Sequence, residues 1–117
     1  MKSIQDLQRL DGRVAVITGG AGHVGLIAAE VLRELGATII LLDKDETGLE
    51  CGKTHLIEGG AGPEAFHKAC DLTDVDDIES SAASIVDEFG QVNILVNAAG
   101  LVGTANRRGW IAEFEKQ

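Results

Sequence analysis

Residues 14–25, VAVITGGAGHVG, decide the fold of this 117-residue chain. The first five of these residues form an unbroken run of apolar or β-branched side chains, which predicts a strand buried on both faces of a parallel sheet. Four glycines then follow within the seven residues 19–25. Glycine lets a backbone turn tightly and lets another group approach it closely. The stretch therefore predicts a buried strand followed by a turn with an exposed backbone.

An amphipathic helix is predicted directly after this turn, from about His23 to the residue before Gly36. Apolar side chains recur along it at helical spacing, so we expect them to form one buried stripe: Val24, Ile27, Ala28, Val31, Leu32 and Leu35. A second buried strand is predicted over residues 38–43, and it ends in Asp43.

The rest of the chain continues the alternation of strands and helices. Asp45 predicts the cap of a helix that runs to about Leu56, and residues 59–63 predict a loop. A weaker strand over 65–70 precedes a helix over 74–89, whose predicted buried residues are Ile78, Ala82, Ile85, Val86 and Phe89. A fourth strand over 92–97 completes the order β-α-β-α-β-α-β. This order predicts one α/β domain over residues 1–117, a Rossmann-type doubly wound parallel sheet with strand order 3-2-1-4.

Composition excludes several classes of function. A net charge of −9 disfavours nucleic acid as a partner. The sequence has neither a membrane-spanning apolar run nor a secretory leader at its N-terminus, so we expect no membrane partner and a cytoplasmic location. Cys51 and Cys70 lie near His55 and His67 in the sequence. Residues 67 and 70 would point to opposite faces of a strand, so no metal site is predicted.

The glycine turn predicts a binding site for a diphosphate. The first N–H groups of a helix have no partner within the helix, and that end carries positive dipole charge. Glycines allow phosphate oxygens to reach these N–H groups. Asp43 lies 18 residues beyond Gly25, close to the spacing of ~20 at which an acid reaches a ribose hydroxyl. Together, strand, turn, helix and acid favour a dinucleotide.

Four features follow one another along the chain: LDGRVAVITGGAGHVG, the Asp43 that ends the second predicted strand, CDLTD and LVNAAG. Together they resemble the N-terminal half of a short-chain dehydrogenase/reductase over about residues 8–117. The resemblance implies that the pyrophosphate, the adenosine ribose, the adenine and the nicotinamide-side ribose meet successive groups of residues. The pyrophosphate would contact Gly19, Gly22 and Gly25 and the backbone of His23 and Val24, and the adenosine ribose would contact Asp43. The adenine would contact Asp71 and the backbone of Leu72. The nicotinamide-side ribose would lie near Asn97, Ala98, Ala99 and Gly100.

Two positions depart from the family's commonest pattern. His23 stands where that pattern has glycine, and the resulting spacing of the glycines is more frequent among nucleotide-sugar epimerases of the extended branch. An epimerase or dehydratase is therefore an alternative, although Gly12-Arg13 before the first strand and the NAAG stretch favour the ordinary dehydrogenase branch. Ala98 replaces the second asparagine of the family's Asn-Asn-Ala-Gly stretch.

The family's acid/base tyrosine is absent, because the chain contains no tyrosine. Ser3, Ser80, Ser81 and Ser84 all precede the fourth strand, so no catalytic residue is assigned and we expect a truncated, inactive chain. Three interpretations stay open: the cofactor half of an oxidoreductase, a non-catalytic dinucleotide-binding module, and an interaction protein that pairs through the open edge of the fourth strand.

The resemblance also implies the ligands and assembly of the full-length form. These are an alcohol or carbonyl substrate and a homo-oligomer. Asp43 predicts NAD rather than NADP, since its carboxylate would repel a 2′-phosphate. The neighbouring Lys44 argues against this preference, because its positive charge could attract a 2′-phosphate.

Overall fold

A computed structural model describes residues 1–100 as one four-stranded parallel sheet with helices on both faces. The elements are α1 (Ile4–Gln8), β1 (Val14–Thr18), α2 (His23–Glu34), β2 (Thr38–Asp43), α3 (Glu46–Glu58), β3 (Ala65–Ala69), α4 (Val75–Phe89) and β4 (Ile94–Asn97). The strand order is β3-β2-β1-β4, with every neighbouring pair parallel. The predicted Rossmann-type fold and its strand order are confirmed.

The core lies on the two faces of β1 and β2. Successive side chains of a strand point to opposite faces, so Ala15 and Ile17 pack with Leu49 of α3 on one face. Val14 and Val16 pack with Ile85 of α4 on the other. All five residues of β1 are buried, as the apolar run predicts. Within the described residues, β4 pairs with β1 alone, so its other edge has no partner strand there.

Capping residues set most of the helix boundaries. Asp45 caps α3 by accepting a hydrogen bond from the N–H of Gly48 at 3.0 Å. Gly90, with φ +81°, ends α4 in the left-handed conformation that glycine favours. The short helix α1 was not predicted from the sequence. It forms because Ser3 and Asp6 each accept a hydrogen bond from the other's backbone N–H.

The predicted buried stripe of α2 is wrong for three of its six side chains. Val24, Ile27 and Val31 are 72%, 60% and 52% exposed. The buried residues of α2 are instead Gly25, Ala29 and Arg33. Small residues let this helix lie close to the turn after β1, because a Cβ on Gly25 would stand 2.4 Å from the carbonyl oxygen of Gly19. Periodicity alone identified a stripe but not the direction in which it faces.

A similar correction applies to α4. Ser81 and Ile85 are its buried residues, whereas Ile78, Ala82 and Val86 are exposed. Of the residues predicted to be buried here, Ile85 is fully buried and Phe89 is half-buried. Phe89 packs edge-on against Phe66 of β3, with ring centroids 4.8 Å apart. The side of α4 that packs on the sheet is therefore rotated by about a quarter turn around the helix axis from the predicted stripe.

The loop between α3 and β3 is held by a buried arginine that the apolar pattern did not identify. Arg33 is 7% exposed, and its guanidinium group donates to four backbone carbonyls. Its Nε lies 2.8 Å from the oxygen of Pro63, its Nη1 lies 2.8 Å from that of Leu56 and 2.9 Å from that of Gly60, and its Nη2 lies 3.3 Å from that of Gly62. Arg33 thus supplies a donor to the Leu56 carbonyl in the last turn of α3, which the helix leaves without a partner, and donors to three carbonyls of the loop that follows.

We predict that Arg33→Met lowers the free energy of unfolding by about 2 kcal/mol or more, because it leaves the buried carbonyl of Leu56 and three part-buried carbonyls without their donor. Urea denaturation followed by circular dichroism measures the change. Arg9→Met is the control, since exposed Arg9 pairs with Asp11 at the surface and its loss should leave stability near that of the wild type. Equal stability of the two variants would contradict the role assigned to Arg33.

Candidate functional site

A cleft of about 410 Å³ opens at the carboxyl ends of the strands. This is where ligands bind in doubly wound sheets, at the point where the strand order reverses. The strand order here reverses between β1 and β4. The cleft is lined by Gly19, Gly22, Asp43, Lys44, Cys70, Asp71, Leu72, Thr73, Ala98, Ala99 and Gly100.

Gly19 brings the turn after β1 against the end of β4. Its φ is +69°, and a Cβ at this position would lie 2.7 Å from the nitrogen of Ala99 and 2.8 Å from the carbonyl carbon of Ala98. Only glycine fits this backbone conformation and this contact together. Glycine at position 19 therefore lets the turn lie directly against the end of β4, where both line the cleft.

Helix α2 begins directly behind this turn. Gly22 is its N-cap residue, with no side chain to accept a hydrogen bond from the first helical N–H groups. His23 and Val24 are the first two residues of the helix, and both are exposed. These N–H groups and the positive end of the helix dipole form a natural anion site at the edge of the cleft.

The Thr18 hydroxyl ties the ends of β1 and β4 together. It lies 3.4 Å from the carbonyl oxygen of Val96 and 3.5 Å from Oδ1 of Asn97. It also accepts a hydrogen bond from the N–H of Ala99 at 3.4 Å. Thr18 was predicted only as the end of a strand, and no local sequence signal identifies this role because its partners lie about 80 residues away.

Asp43 is held against the glycine turn by backbone donors. Its Oδ2 accepts from the N–H of Ala21 at 3.1 Å, and its Oδ1 accepts from the N–H of Asp45 at 3.2 Å. The N–H of Gly20 donates to the carbonyl of Leu42 at 2.9 Å. The carboxylate is therefore placed by the same turn that would hold a phosphate.

A second carboxylate, that of Asp71, faces the cleft from the end of β3. The side-chain hydrogen bond from Thr73, at 2.7 Å, lowers the pKa of Asp71, and the backbone N–H of Thr73 and the charge of Lys44 lower it further. Asp71 is therefore ionised at neutral pH. Among the described residues that line the cleft, Lys44 is the only cation.

The structure brings eight of the twelve predicted site residues into one cleft, namely Gly19, Gly22, Asp43, Asp71, Leu72, Ala98, Ala99 and Gly100. The other four do not line it. His23 and Val24 stand at the start of α2, Gly25 packs beneath the turn, and Asn97 faces Thr18. The structure adds Cys70 and Thr73, which flank Asp71, together with Lys44. The Asp-x-Thr spacing is the one signal in the sequence that could have identified Thr73.

Comparison with known proteins identifies the family. The family model described as short chain dehydrogenase matches residues 13–117. The chain belongs to the short-chain dehydrogenase/reductase family. This membership does not favour the alternatives of a nucleotide-sugar epimerase or a non-catalytic module.

Individual relatives agree with this assignment. D-threitol dehydrogenase of Mycolicibacterium smegmatis is 35% identical over 99 residues, which are 83% of this chain and 36% of that protein. A metagenomic short-chain oxidoreductase in complex with NADP matches with a TM-score of 0.74 and 36% identity, over 79% of this chain and 41% of that one. NAD⁺-bound xylitol dehydrogenase matches with a TM-score of 0.74 and 35% identity, over 80% of this chain and 35% of that one. The chain thus spans little more than a third of the length of these relatives.

Residues 1–100 contain neither a candidate metal cluster nor a membrane-spanning helix. No group of three or more His, Cys, Asp or Glu side chains there could hold a metal ion. None of the helices described is both long enough and apolar enough to cross a membrane.

We predict that Gly19→Ala costs more stability than Gly12→Ala. Both glycines have positive φ, but a Cβ on Gly12 meets nothing within 4 Å whereas a Cβ on Gly19 meets the backbone of residues 98 and 99. Gly12→Ala should cost about 1 kcal/mol for its conformation alone, and Gly19→Ala about 3 kcal/mol because the contact adds to it. Urea denaturation of the two variants measures both, and equal costs would show that the approach of the turn to β4 is unimportant.

Proposed function

We propose that this chain is the NAD(H)-binding portion of a short-chain dehydrogenase/reductase that acts on an alcohol or carbonyl substrate. The observation that carries the proposal is the cleft itself, in which a glycine turn, a helix N-terminus and two ionised or hydrogen-bonded carboxylates converge. A bound nicotinamide would supply the hydride acceptor or donor. The residues of this chain bind and orient it.

The proposed binding mode follows the geometry of the cleft. The pyrophosphate would lie on the backbone of Gly19 and Gly22, which have no side chains to obstruct it, and at the N–H groups of His23 and Val24, which begin the helix. The adenosine ribose would donate its hydroxyls to Asp43. The adenine would lie beside Asp71 and Leu72, at the end of β3.

The nicotinamide-side ribose would lie near Asn97 and the backbone of residues 98–100, where β4 ends. Ala98, Ala99 and Gly100 line this part of the cleft. The substrate class and the homo-oligomer of the longer form belong to the same proposal. The cytoplasmic location stays a prediction.

The preference for NAD over NADP is argued from charge. Asp43 is already fixed by two backbone donors, so it cannot turn away from an incoming 2′-phosphate without losing them. Two like charges that lie close together in a partly buried site repel each other by about 1 kcal/mol or more. Lys44 opposes this repulsion, but the charge of Lys44 already acts on Asp71. Structural neighbours bind NADP or NAD, so the preference has to be measured on this chain.

We predict that the chain binds NADH about tenfold more tightly than NADPH, as a repulsion of about 1.4 kcal/mol would give. Titration by nucleotide fluorescence measures both affinities. Asp43→Asn, which keeps the shape and removes the charge, should bring the two affinities together. Lys44→Met is the matched control and should weaken NADPH binding more than NADH binding. Tighter binding of NADPH that Asp43→Asn leaves unchanged would contradict the preference.

We also propose that these 117 residues bind the cofactor without turning over substrate, because they contain no tyrosine to act as the acid/base. The expected result is that the purified chain reduces NAD⁺ no faster than buffer does when secondary alcohols or sugar alcohols are supplied. Sustained turnover that Asp43→Asn diminishes would refute this and would require another acid/base among the residues present.

A further inference from the structure

Helix α3 packs directly against the glycine turn through one of its own glycines. Gly48 lies in the first turn of α3, and its N–H donates to Oδ1 of Asp45 at 3.0 Å. A Cβ on Gly48 would stand 2.6 Å from Oδ2 of Asp45 and 2.8 Å from the Cβ of Ala21. Ala21 belongs to the turn between β1 and α2. At this point, helix and turn are closer than any other residue at position 48 would allow.

The two obstacles differ in how easily they could move. The Asp45 carboxylate is the end of a side chain and can rotate, although it would then lose its capping bond to residue 48. The Cβ of Ala21 is attached directly to the backbone, so it can move only if the turn moves. A side chain at position 48 therefore acts on the backbone of the turn.

Ala21 is also the residue that connects the turn to Asp43. Its N–H donates to Oδ2 of Asp43 at 3.1 Å. Displacing Ala21 would thus disturb the turn and the orientation of the carboxylate together. These are the two parts of the cleft to which the proposed function assigns the pyrophosphate and the adenosine ribose.

We propose that Gly48 is a positioning residue for dinucleotide binding. By leaving room for Ala21, it allows α3 to hold the glycine turn and Asp43 in the arrangement that receives the cofactor. The inference rests on the proposed function, and it assigns to α3 a role beyond covering the sheet.

Gly52 provides an internal comparison on the same helix. It lies one turn beyond Gly48, and a Cβ there would meet its nearest neighbours, the carbonyl oxygen of Gly20 and Cδ1 of Leu41, at 3.4 Å. Such contacts are of ordinary van der Waals length. Because alanine favours a helix more than glycine does, Gly52→Ala should stabilise α3 without moving the turn.

The test compares Gly48→Ala and Gly52→Ala in the 117-residue chain by titration with NADH. Gly48→Ala should weaken binding about tenfold or more, because it disturbs a hydrogen bond to a charged group together with the anion site. Gly52→Ala should bind within about twofold of the wild type. Urea denaturation of both variants separates a loss of binding from a loss of fold.

Rescue by a second substitution identifies the contact. Ala21→Gly removes the Cβ that residue 48 would meet, so the double variant Ala21→Gly/Gly48→Ala should recover NADH binding to within about twofold of Ala21→Gly alone. If Gly48→Ala does not fold, recovery of both folding and binding in the double variant supports the proposal, and failure of either contradicts it. Wild-type affinity in Gly48→Ala, or equal weakening in Gly52→Ala, overturns it.

A readout without ligand keeps this inference distinct from the proposed function. The ¹³C shift of the Asp43 carboxyl group should change in Gly48→Ala, stay as in the wild type in Gly52→Ala, and return towards the Ala21→Gly value in the double variant. If the wild type binds neither NADH nor NADPH, the proposed function fails and with it the cofactor role of Gly48. If the wild type binds NADH but the Asp43 shift is unchanged in Gly48→Ala, the positioning role alone is contradicted.

Discussion

The close approach of the turn after β1 to the end of β4 is the constraint on which the cleft depends. Gly19 adopts a left-handed backbone conformation and lies against Ala98 and Ala99 with no room for a side chain. The buried Thr18 hydroxyl joins the same two strand ends. Because β1 and β4 meet here, the N-terminus of α2, which begins directly after this turn, lies at the edge of the cleft. One contact thereby aligns the sheet, the turn and the anion site.

On the other side of the cleft, backbone N–H groups hold two carboxylates in place. Asp43 accepts from residues 21 and 45, and Asp71 accepts from Thr73. Such bonds orient a charged group before a ligand arrives, so that less ordering is needed when it binds. The glycine turn takes part in this network through Ala21. The site is therefore one connected arrangement in which α3, by way of Gly48, also participates.

Both amphipathic helices bury small or polar residues, such as Ala29 on α2 and Ser81 on α4, and leave several large apolar side chains exposed in the part of the chain described. Val24, Ile27 and Val31 show this on α2, and Ile78 and Val86 show it on α4. The relatives described above are about twice as long as this chain or longer. Hydrophobic periodicity records that a helix has an apolar side, but the direction of that side depends on the neighbours it packs against.

The sequence by itself determined the parallel sheet, its strand order and the part of the cleft at Gly19, Gly22 and Asp43, while the family resemblance indicated the other predicted residues of the cleft. Strand and helix periods, the caps at Asp45 and Gly90, and the spacing from the glycine turn to Asp43 are local patterns, and each reflects a local physical requirement. Tertiary structure alone decided the rotation of α2 and α4, the four carbonyls bound by Arg33, the bridging role of Thr18 and the fit of Gly48 against Ala21. These depend on contacts between residues more than 20 positions apart, whose distances no local pattern of side chains encodes.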